Sequence, residues 1–201
     1  MRFQETYKKL VEKKYYVFSF EDLCVFYPQE KRSHLRQYLS RWKKQRWIGS
    51  LRNGLYELTF PEGRGVPDFF IANKMYAPSY ISLETALSYY SIIPEVSMAV
   101  VSVTSKTTRR FKNDHGLFIF RSIQPEAFHG YVIEKHNGFD VLIAEPEKAL
   151  VDYLYFKTLR GEKFDMKAER LDKKRVGHLN KKKLERYAKI YYLDVKELLH
   201  A

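Results

Sequence analysis

The chain has 201 residues, of which 45% are apolar and 16% aromatic, and this content is sufficient for a hydrophobic core and argues against global disorder. Its 36 Lys and Arg against 24 Asp and Glu give a formal net charge of +12, which favours a polyanionic partner, nucleic acid before membrane, over a generally basic protein without one. The single cysteine, Cys24, excludes an internal disulfide and fits a reducing cytoplasm, and no apolar run suggests a signal peptide or a membrane span.

The first part of the chain predicts two short helices with a strand between them. Apolar residues at helical spacing from Phe3 to Val11 indicate the first helix. The β-rich residues 15–18 follow it and can form a short strand. Ser19 and Asp22 have the spacing of a capping box, so a second helix is expected over residues 20–26.

A third helix carries both an apolar and a basic face. Its apolar stripe at helical spacing consists of Leu35, Tyr38, Leu39 and Trp42. This helix can begin at Pro28, as its first residue, or near Ser33, as its cap, and we favour a start near Ser33. The opposite face carries Ser33, Arg36, Gln37, Ser40, Arg41 and Lys44.

A hairpin is expected directly after this helix. Asn53-Gly54 separates two β-rich segments, 47–52 and 55–59, and this dipeptide favours a type I′ turn with positive φ at both residues. Such a turn would place Leu51 and Tyr56 on the same face of the hairpin. The basic side chain of Arg52 would then lie beside the tip.

A basic helix that runs into a hairpin with a basic tip is typical of a winged helix-turn-helix domain, whose helix enters the major groove while the hairpin lies on the neighbouring backbone. Residues 1–58 carry thirteen Lys or Arg against six Asp or Glu. An ordinary solvated basic surface is the alternative, and the hairpin signal favours DNA binding over it. The candidate DNA-binding residues are Ser33, Arg36, Gln37, Ser40, Arg41, Lys44, Arg52 and Asn53.

The remaining residues predict a second domain. Pro and Gly cluster at residues 61–67 and indicate a linker. Helices are expected over residues 68–75, after the capping residue Ser82, and from Pro146. Strands are expected at 98–104, 117–123, 131–135 and 139–144, the last two joined by a tight turn at Asn137-Gly138. Near the end, a helical stripe consists of Leu184, Tyr187, Ala188 and Tyr191, and Asp194 would cap a last short helix.

These elements predict an α+β protein with two domains. Residues 1–60 would form the winged helix-turn-helix domain and residues 61–67 the linker. Residues 68–201 would form a mixed α/β domain with an antiparallel sheet and C-terminal helices.

The sequence offers no catalytic constellation. The acids and lysine at Asp140 and 145–148 superficially resemble a metal-dependent nuclease core, but Pro146 begins a helix between them and the spacing is wrong. A nucleotidyltransferase needs paired acids after Gly-Ser, and none follow Gly49-Ser50. The six histidines lack the spacing of metal ligands, and no phosphate-binding P-loop is present. We therefore predict no enzyme activity, no metal and no cofactor.

Several segments resemble the AbiEi family of antitoxins. The resembling segments are Tyr80–Pro94, Val101–Thr104, Lys106–Arg110, Phe128–Tyr131, and Ala144–Asp152 with its Glu-Pro-Glu-Lys-Ala-Leu motif. The order of domains is similar too, with the hairpin Arg52-Asn53-Gly54-Leu55-Tyr56 before this domain, and the resemblance covers about residues 5 to 195. The chain departs from the family at Ser91, where a glycine is usual. If that position needs positive φ, serine costs stability there.

The resemblance implies a cytoplasmic antitoxin of a type IV toxin–antitoxin pair that also represses its own operon. Its first domain would bind operator DNA with inverted repeats. Its second domain would counter a nucleotidyltransferase toxin without forming a stable complex with it. Lys106, Arg109 and Arg110 are the candidates for the antitoxin surface. For Glu147, Lys148 and Asp152 the helix-start signals favour a structural role, the capping and ordering of a helix.

Two other functions remain open from the sequence. A winged-helix regulator with a ligand-sensing second domain would show an apolar pocket with convergent polar groups in that domain. A nucleic-acid-processing enzyme would show acids clustered around a metal.

Overall fold

The computed structural model describes residues 2–59, 65–95, 97–159, 161 and 168–195. The chain divides into two compact units, one of residues 1–67 with 112–115 and the other of residues 68–111 with 116–201. Helices and strands are mixed along the chain, so the protein is of the α+β class. Most of the predicted linker, residues 61–64, lies outside the described residues. Within the described ranges, no helix is long and apolar enough to cross a membrane.

The first unit combines three helices with a three-stranded antiparallel sheet. The helices are α1 (Phe3–Glu12), α2 (Phe20–Phe26) and α3 (Arg32–Lys44), and the strands are β1 (Val17–Ser19), β2 (Ile48–Arg52) and β3 (Leu55–Leu58). Strand β3 lies between the other two. The helices and the sheet share one core, whose buried members are Phe3, Leu10, Phe18, Leu23, Leu39, Trp42 and Ile48.

The starts of α2 and α3 differ in how they are capped. The Ser19 hydroxyl accepts the Asp22 N–H at 3.1 Å and the Asp22 carboxylate accepts the Ser19 N–H at 2.6 Å, so the predicted capping box is confirmed. Helix α3 begins at Arg32 with Lys31 as its N-cap and no side-chain cap. Ser33 therefore lies inside the first turn and does not cap the helix, contrary to our expectation.

The first hairpin forms at the predicted residues with a different turn. Gly54 has a φ of +75°, whereas Asn53 is not among the residues with positive φ, so the type I′ prediction is wrong. The ladder shifts between Ser50 and Arg52, and Tyr56 lies opposite Ser50 instead of Leu51. A β-bulge adds one residue to one strand, and a shift of one residue exchanges the two faces of a strand.

The second unit is organised around a six-stranded sheet with the order β6-β7-β5-β4-β9-β8. Its strands are β4 (Ser79–Ile81), β5 (Ala99–Thr104), β6 (Arg109–Asn113), β7 (Gly116–Ser122), β8 (Tyr131–His136) and β9 (Phe139–Ala144), and the last two residues of β6 are grouped with the first unit. Its helices are α4 (Asp68–Met75), α5 (Leu83–Tyr89), α6 (Pro146–Thr158), α7 (Lys173–Gly177) and α8 (Lys181–Ile190). The predicted stripe of α8 is buried at Leu184, Tyr187, Ala188 and Tyr191. The helix expected after Asp194 lies mainly outside the described residues.

This sheet is mixed, so the prediction of an antiparallel sheet is confirmed for some strand pairs and wrong for others. Strand β4 pairs antiparallel with β5 but parallel with β9, and β5 pairs parallel with β7. Strands β4 and β6 were not among the predicted strands. Because β6 takes the return path after β5, β7 runs in the same direction as β5.

The predicted turn at Asn137-Gly138 is confirmed by its backbone angles, and the φ of Ser91 answers the question left open for that position. Asn137 and Gly138 have φ values of +49° and +83°, as a type I′ turn between β8 and β9 requires. Ser91 follows α5 with a φ of +57°. The position after this helix therefore does adopt the left-handed conformation that favours glycine.

Candidate nucleic-acid interface

Helix α3 has one buried and one exposed face. Leu35, Leu39 and Trp42 are at most 3% exposed and point into the core of the first unit. The exposed side chains include all six residues that the sequence assigned to the opposite face, namely Ser33, Arg36, Gln37, Ser40, Arg41 and Lys44. The helical period thus separates the two faces as expected, because residues three and four apart share a face.

The exposed face of α3 and the first strand of the hairpin after it carry only positive charge. From residue 31 to residue 52 the chain has eight Lys or Arg and no Asp or Glu. Two carboxylates from elsewhere approach the start of α3: Glu21 pairs with Arg32, and Glu30 lies 3.8 Å from His34. Beyond that first turn, the described residues place no acidic ion-pair partner on Arg36, Arg41 or Lys44.

The two arginines in the first turns of α3 are held differently. The Arg32 guanidinium donates to both carboxylate oxygens of Glu21, at 3.0 and 2.5 Å. The hydrogen bond between them lowers the pKa of Glu21 and raises the pKa of Arg32. Arg36 lies over the ring of Phe20, with its Cζ 4.9 Å from the ring centroid, and Arg32 lies over the same ring at 4.7 Å.

The later part of the exposed face is less constrained. Arg41 lies 6.0 Å from the ring centroid of Tyr38. Within the part of the chain that the structure describes, no hydrogen bond or ion pair is formed by the side chains of Gln37, Ser40 or Lys44. These side chains can therefore turn toward a ligand without first breaking such a contact.

The hairpin tip adds a further cation next to an exposed amide. The Arg52 guanidinium donates to the backbone carbonyl of Asn53 at 3.0 Å, and the Asn53 side chain is exposed. The backbone N–H of Phe20 donates to the carbonyl of Gly54 at 2.9 Å. This bond joins the turn of the hairpin to the first residue of α2, one of the three helices that precede the hairpin.

The candidates for the antitoxin surface lie at one edge of the second sheet. Lys106 is in the loop after β5, and Arg109 and Arg110 open the edge strand β6; all three are exposed. The Lys106 ammonium donates to the carbonyl of Ala77 at 2.6 Å and lies 5.6 Å from the ring centroid of Tyr76. Hydrogen bonding from Thr107, with smaller effects of Arg109 and Lys106, lowers the pKa of Tyr76.

Lys148 and Asp152 form a buried network with residues that are distant along the chain. Their side chains are 1% and 0% exposed and form an ion pair with each other. Asp152 also accepts hydrogen bonds from Ser82 at 2.8 Å, Tyr191 at 2.7 Å and Tyr80 at 3.1 Å. Burial lowers the pKa of Lys148, and the charge of Asp152 opposes this effect. The two residues therefore hold α6 against β4, the start of α5 and the residue after α8.

The two glutamates of the same motif also make structural contacts. The Glu147 carboxylate accepts the backbone N–H of Asn180 at 2.9 Å, just before α8. Glu145 accepts from Lys183 at 2.8 Å and from the Tyr187 hydroxyl at 2.6 Å. Thus the expectation of a structural role holds for this motif, but its contacts reach distant elements and do not cap α6, whose N-cap has no side-chain hydrogen bond.

No metal site accompanies these clusters. Among the described residues, no three His, Cys, Asp or Glu side chains are grouped so that they could hold a metal ion. Comparison of the chain with models of known protein families and with curated proteins finds no match to either.

Proposed function

We propose that the first unit is a winged helix-turn-helix domain that binds duplex DNA. In this proposal α2 and α3 form the helix-turn-helix, and the β2–β3 hairpin is the wing. The observation that carries the proposal is the exposed face of α3, which is basic along its whole length and leads into a basic hairpin tip without an intervening acid. A helix of this charge suits the major groove, and a wing suits the adjacent phosphates.

Position along α3 suggests which residues read sequence. The N-terminal residues of a recognition helix meet base edges, and its far end rises toward the backbone. Arg36 and Gln37 lie in the first two turns, and their side chains can form bidentate pairs with guanine and adenine. Lys44 ends the helix and Arg52 lies at the wing tip, so both are assigned to phosphate contacts.

A comparison of variants tests this assignment. Arg52→Ala and Lys44→Ala should weaken binding to all duplexes about equally and reduce the salt slope by about one unit each, because each removes about one phosphate contact. Gln37→Ala should reduce discrimination between a preferred and a scrambled duplex by about 1–3 kcal/mol. The measurement is the dissociation constant of the full chain for both duplexes over a range of salt concentrations.

Two results would contradict this assignment. Binding of the wild-type chain that does not weaken with salt would contradict a phosphate-based interface. If Arg52→Ala abolished sequence preference while Gln37→Ala retained it, the wing would be the element that reads sequence.

We further propose, from the resemblance to AbiEi antitoxins, that the chain is a cytoplasmic autorepressor and antitoxin. It would bind operator DNA with inverted repeats and counter a nucleotidyltransferase toxin without a stable complex. The second unit would carry the antitoxin activity, with Lys106, Arg109 and Arg110 as its surface. Their exposure at a sheet edge supports this choice, because exposed charges are available to a partner.

Two sets of substitutions in the full chain separate the proposed activities. Combined Arg36→Ala, Lys44→Ala and Arg52→Ala should abolish repression of a reporter under the chain's own promoter while protection from a co-expressed nucleotidyltransferase toxin persists. Combined Lys106→Ala, Arg109→Ala and Arg110→Ala should abolish protection from the toxin while repression of the reporter persists. Loss of protection in the first set alone would place the antitoxin activity in the DNA-binding surface.

One observation favours a ligand-sensing regulator as the second candidate. An open cleft of about 430 Å³ in the second unit is lined by apolar side chains such as Ile93 and Ile119 and by Glu84, Arg121 and Tyr153. Its volume falls within the range of small-molecule sites. Closing this cleft with Ala99→Trp should leave repression unchanged if no ligand is sensed there. A loss of response to cell extract in a DNA-binding assay would favour the second candidate.

A further inference from the structure

One aromatic side chain contacts both arginines at the start of α3, and its own backbone contacts the hairpin tip. Phe20 lies under the guanidinium groups of Arg32 and Arg36, at 4.7 and 4.9 Å from its ring centroid. Its N–H donates to the Gly54 carbonyl at 2.9 Å. Phe20 thus lies between the element assigned to base contacts and the element assigned to phosphate contacts.

The two arginines on this ring are not equivalent. Arg32 has two partners, because both of its terminal nitrogens donate to Glu21 while its Cζ lies 4.7 Å from the Phe20 ring centroid. Arg36 has the ring contact, and within the described residues it has no ion pair. Stacking uses the flat face of a guanidinium and leaves the N–H donors in its plane available. The charge of Arg32 is neutralised by Glu21, whereas the donors of Arg36 remain free for a ligand.

We infer that Phe20 is a positioning residue that sets the sequence preference of the proposed DNA interface through Arg36; this inference rests on the proposed DNA-binding function. The ring contact holds the Arg36 Cζ 4.9 Å from the Phe20 centroid, and a guanidinium held in place favours bidentate pairing with a guanine edge. The Phe20–Gly54 hydrogen bond fixes the hairpin turn relative to the same ring. Phe20 therefore determines where Arg36 points relative to the phosphates that the wing contacts.

Loss of Phe20 should affect the sequence preference of DNA binding but not its overall affinity. Phe20 carries no charge and contacts no phosphate itself in this arrangement, so its loss should leave the electrostatic part of binding intact. Only discrimination at the base that Arg36 reads should fall. Phe26 supplies a matched control, because it lies on the same helix, is also partly buried against the core, and has the Lys9 ammonium 5.4 Å from its ring centroid.

The experiment uses the full chain and two probes, a duplex that the wild-type chain selects from a random-sequence pool and a scrambled duplex of the same composition. Phe20→Leu should reduce the ratio of the two affinities about tenfold, with the affinity for the scrambled duplex and the salt slope unchanged. Phe20→Tyr, which keeps the ring, and Phe26→Leu should retain the wild-type ratio. In an Arg36→Ala background, Phe20→Leu should cause no further loss of preference.

Three results would overturn the inference: an unchanged affinity ratio in Phe20→Leu, an equal loss of affinity for both duplexes, or an equal loss of preference with and without Arg36. If thermal denaturation shows that Phe20→Leu is unfolded, Phe20→Met, which keeps the volume of the side chain, is measured against the same outcomes. Absence of salt-dependent DNA binding by the wild-type chain is a different result, because it contradicts the proposed function itself.

Discussion

The ammonium of Lys148 is an unusual group to bury, and its partners explain how the fold accommodates it. Removing a charge from water costs several kcal/mol unless the charge is paired and its hydrogen bonds are satisfied. Lys148 pairs with Asp152, donates to the Tyr191 hydroxyl at 3.0 Å and lies 4.9 Å from the centroid of that tyrosine ring. Asp152 in turn accepts from three hydroxyl groups. Neither member can be lost without leaving the other uncompensated.

Lys148→Met should therefore destabilise the protein by about 3–5 kcal/mol, because Asp152 would remain buried without its counter-charge. The exposed pair Lys135–Asp140, 2.6 Å apart with side chains 74% and 63% exposed, provides the control. Lys135→Met should change stability by no more than about 1 kcal/mol. Urea denaturation measures both, and similar losses in the two variants would show that the buried pair does not hold the fold.

At the residue level, the sequence predicted which side chains of α3 are exposed, but it did not predict the buried hydrogen-bond network around Asp152. Periodicity alone was sufficient to place Arg36, Gln37 and Lys44 on the exposed face of α3. It was not sufficient for Asp152, whose partners Tyr80, Ser82 and Tyr191 are 39 to 72 residues away along the chain. A lysine and an aspartate four residues apart indicate only a helical neighbour pair, and burial depends on the tertiary fold.

At the level of single elements, the second residue after α5 carries backbone strain. Ser91 has a φ of +57°, and a residue with a Cβ atom pays about 1–2 kcal/mol in that region. Its N–H donates to the Ser88 carbonyl at 2.9 Å, so the conformation is part of the helix end. Glycine is the residue that ends a helix in this way without strain.

Ser91→Gly should raise the melting temperature, by about 1–3 °C, because relief of strain exceeds the entropy that glycine adds to the unfolded chain. The same replacement at Ser88, within α5, should lower it, since glycine is the poorer helix former by roughly 0.5 kcal/mol. Differential scanning calorimetry of both variants checks the pair. A decrease for Ser91→Gly would mean that the serine side chain stabilises this turn.

Among the elements, those with a strong period or a local signal were predictable. The capping box defined α2, and Pro146 marked the first turn of α6. The two strands that were not predicted, β4 and β6, lacked such signals. Strand β4 has only three residues and is defined by its neighbours in the sheet, and β6 is basic, as edge strands that avoid further pairing often are. The same dipeptide also does not determine the turn type by itself. Asn137-Gly138 forms a type I′ turn, whereas Asn53-Gly54 forms a different turn beside a β-bulge.

For the whole molecule, the aromatic content has a consequence for stability at high pH. Burial raises the pKa values of Tyr80 and Tyr191, and also those of Tyr90 and Tyr153. A tyrosine whose pKa is raised in the fold contributes stability that is complete below its unfolded pKa of about 10 and is lost as the pH rises above that value. The lowered pKa of Lys148 acts in the opposite direction, because it favours the fold as the pH rises toward 10.5. The effect of the four tyrosines on stability at high pH should therefore exceed the opposite effect of Lys148.

The free energy of unfolding should therefore fall between about pH 9.5 and pH 11. Urea midpoints measured across this interval test the prediction. Tyr191→Phe should reduce the slope, since it removes one of the groups that ionise only after unfolding. A midpoint that stays constant or rises through the interval would contradict the role of the buried hydroxyl groups.

The burial of Lys148 also makes it distinct in its chemical reactivity. Among the described residues it is the one lysine that is buried, while the others have at least partial access to solvent. An amine-reactive reagent in a short pulse should acylate those other lysines and leave Lys148 unmodified until the second unit opens. Mass spectrometry of the fragment that contains residue 148 would then report how often this unit opens under native conditions.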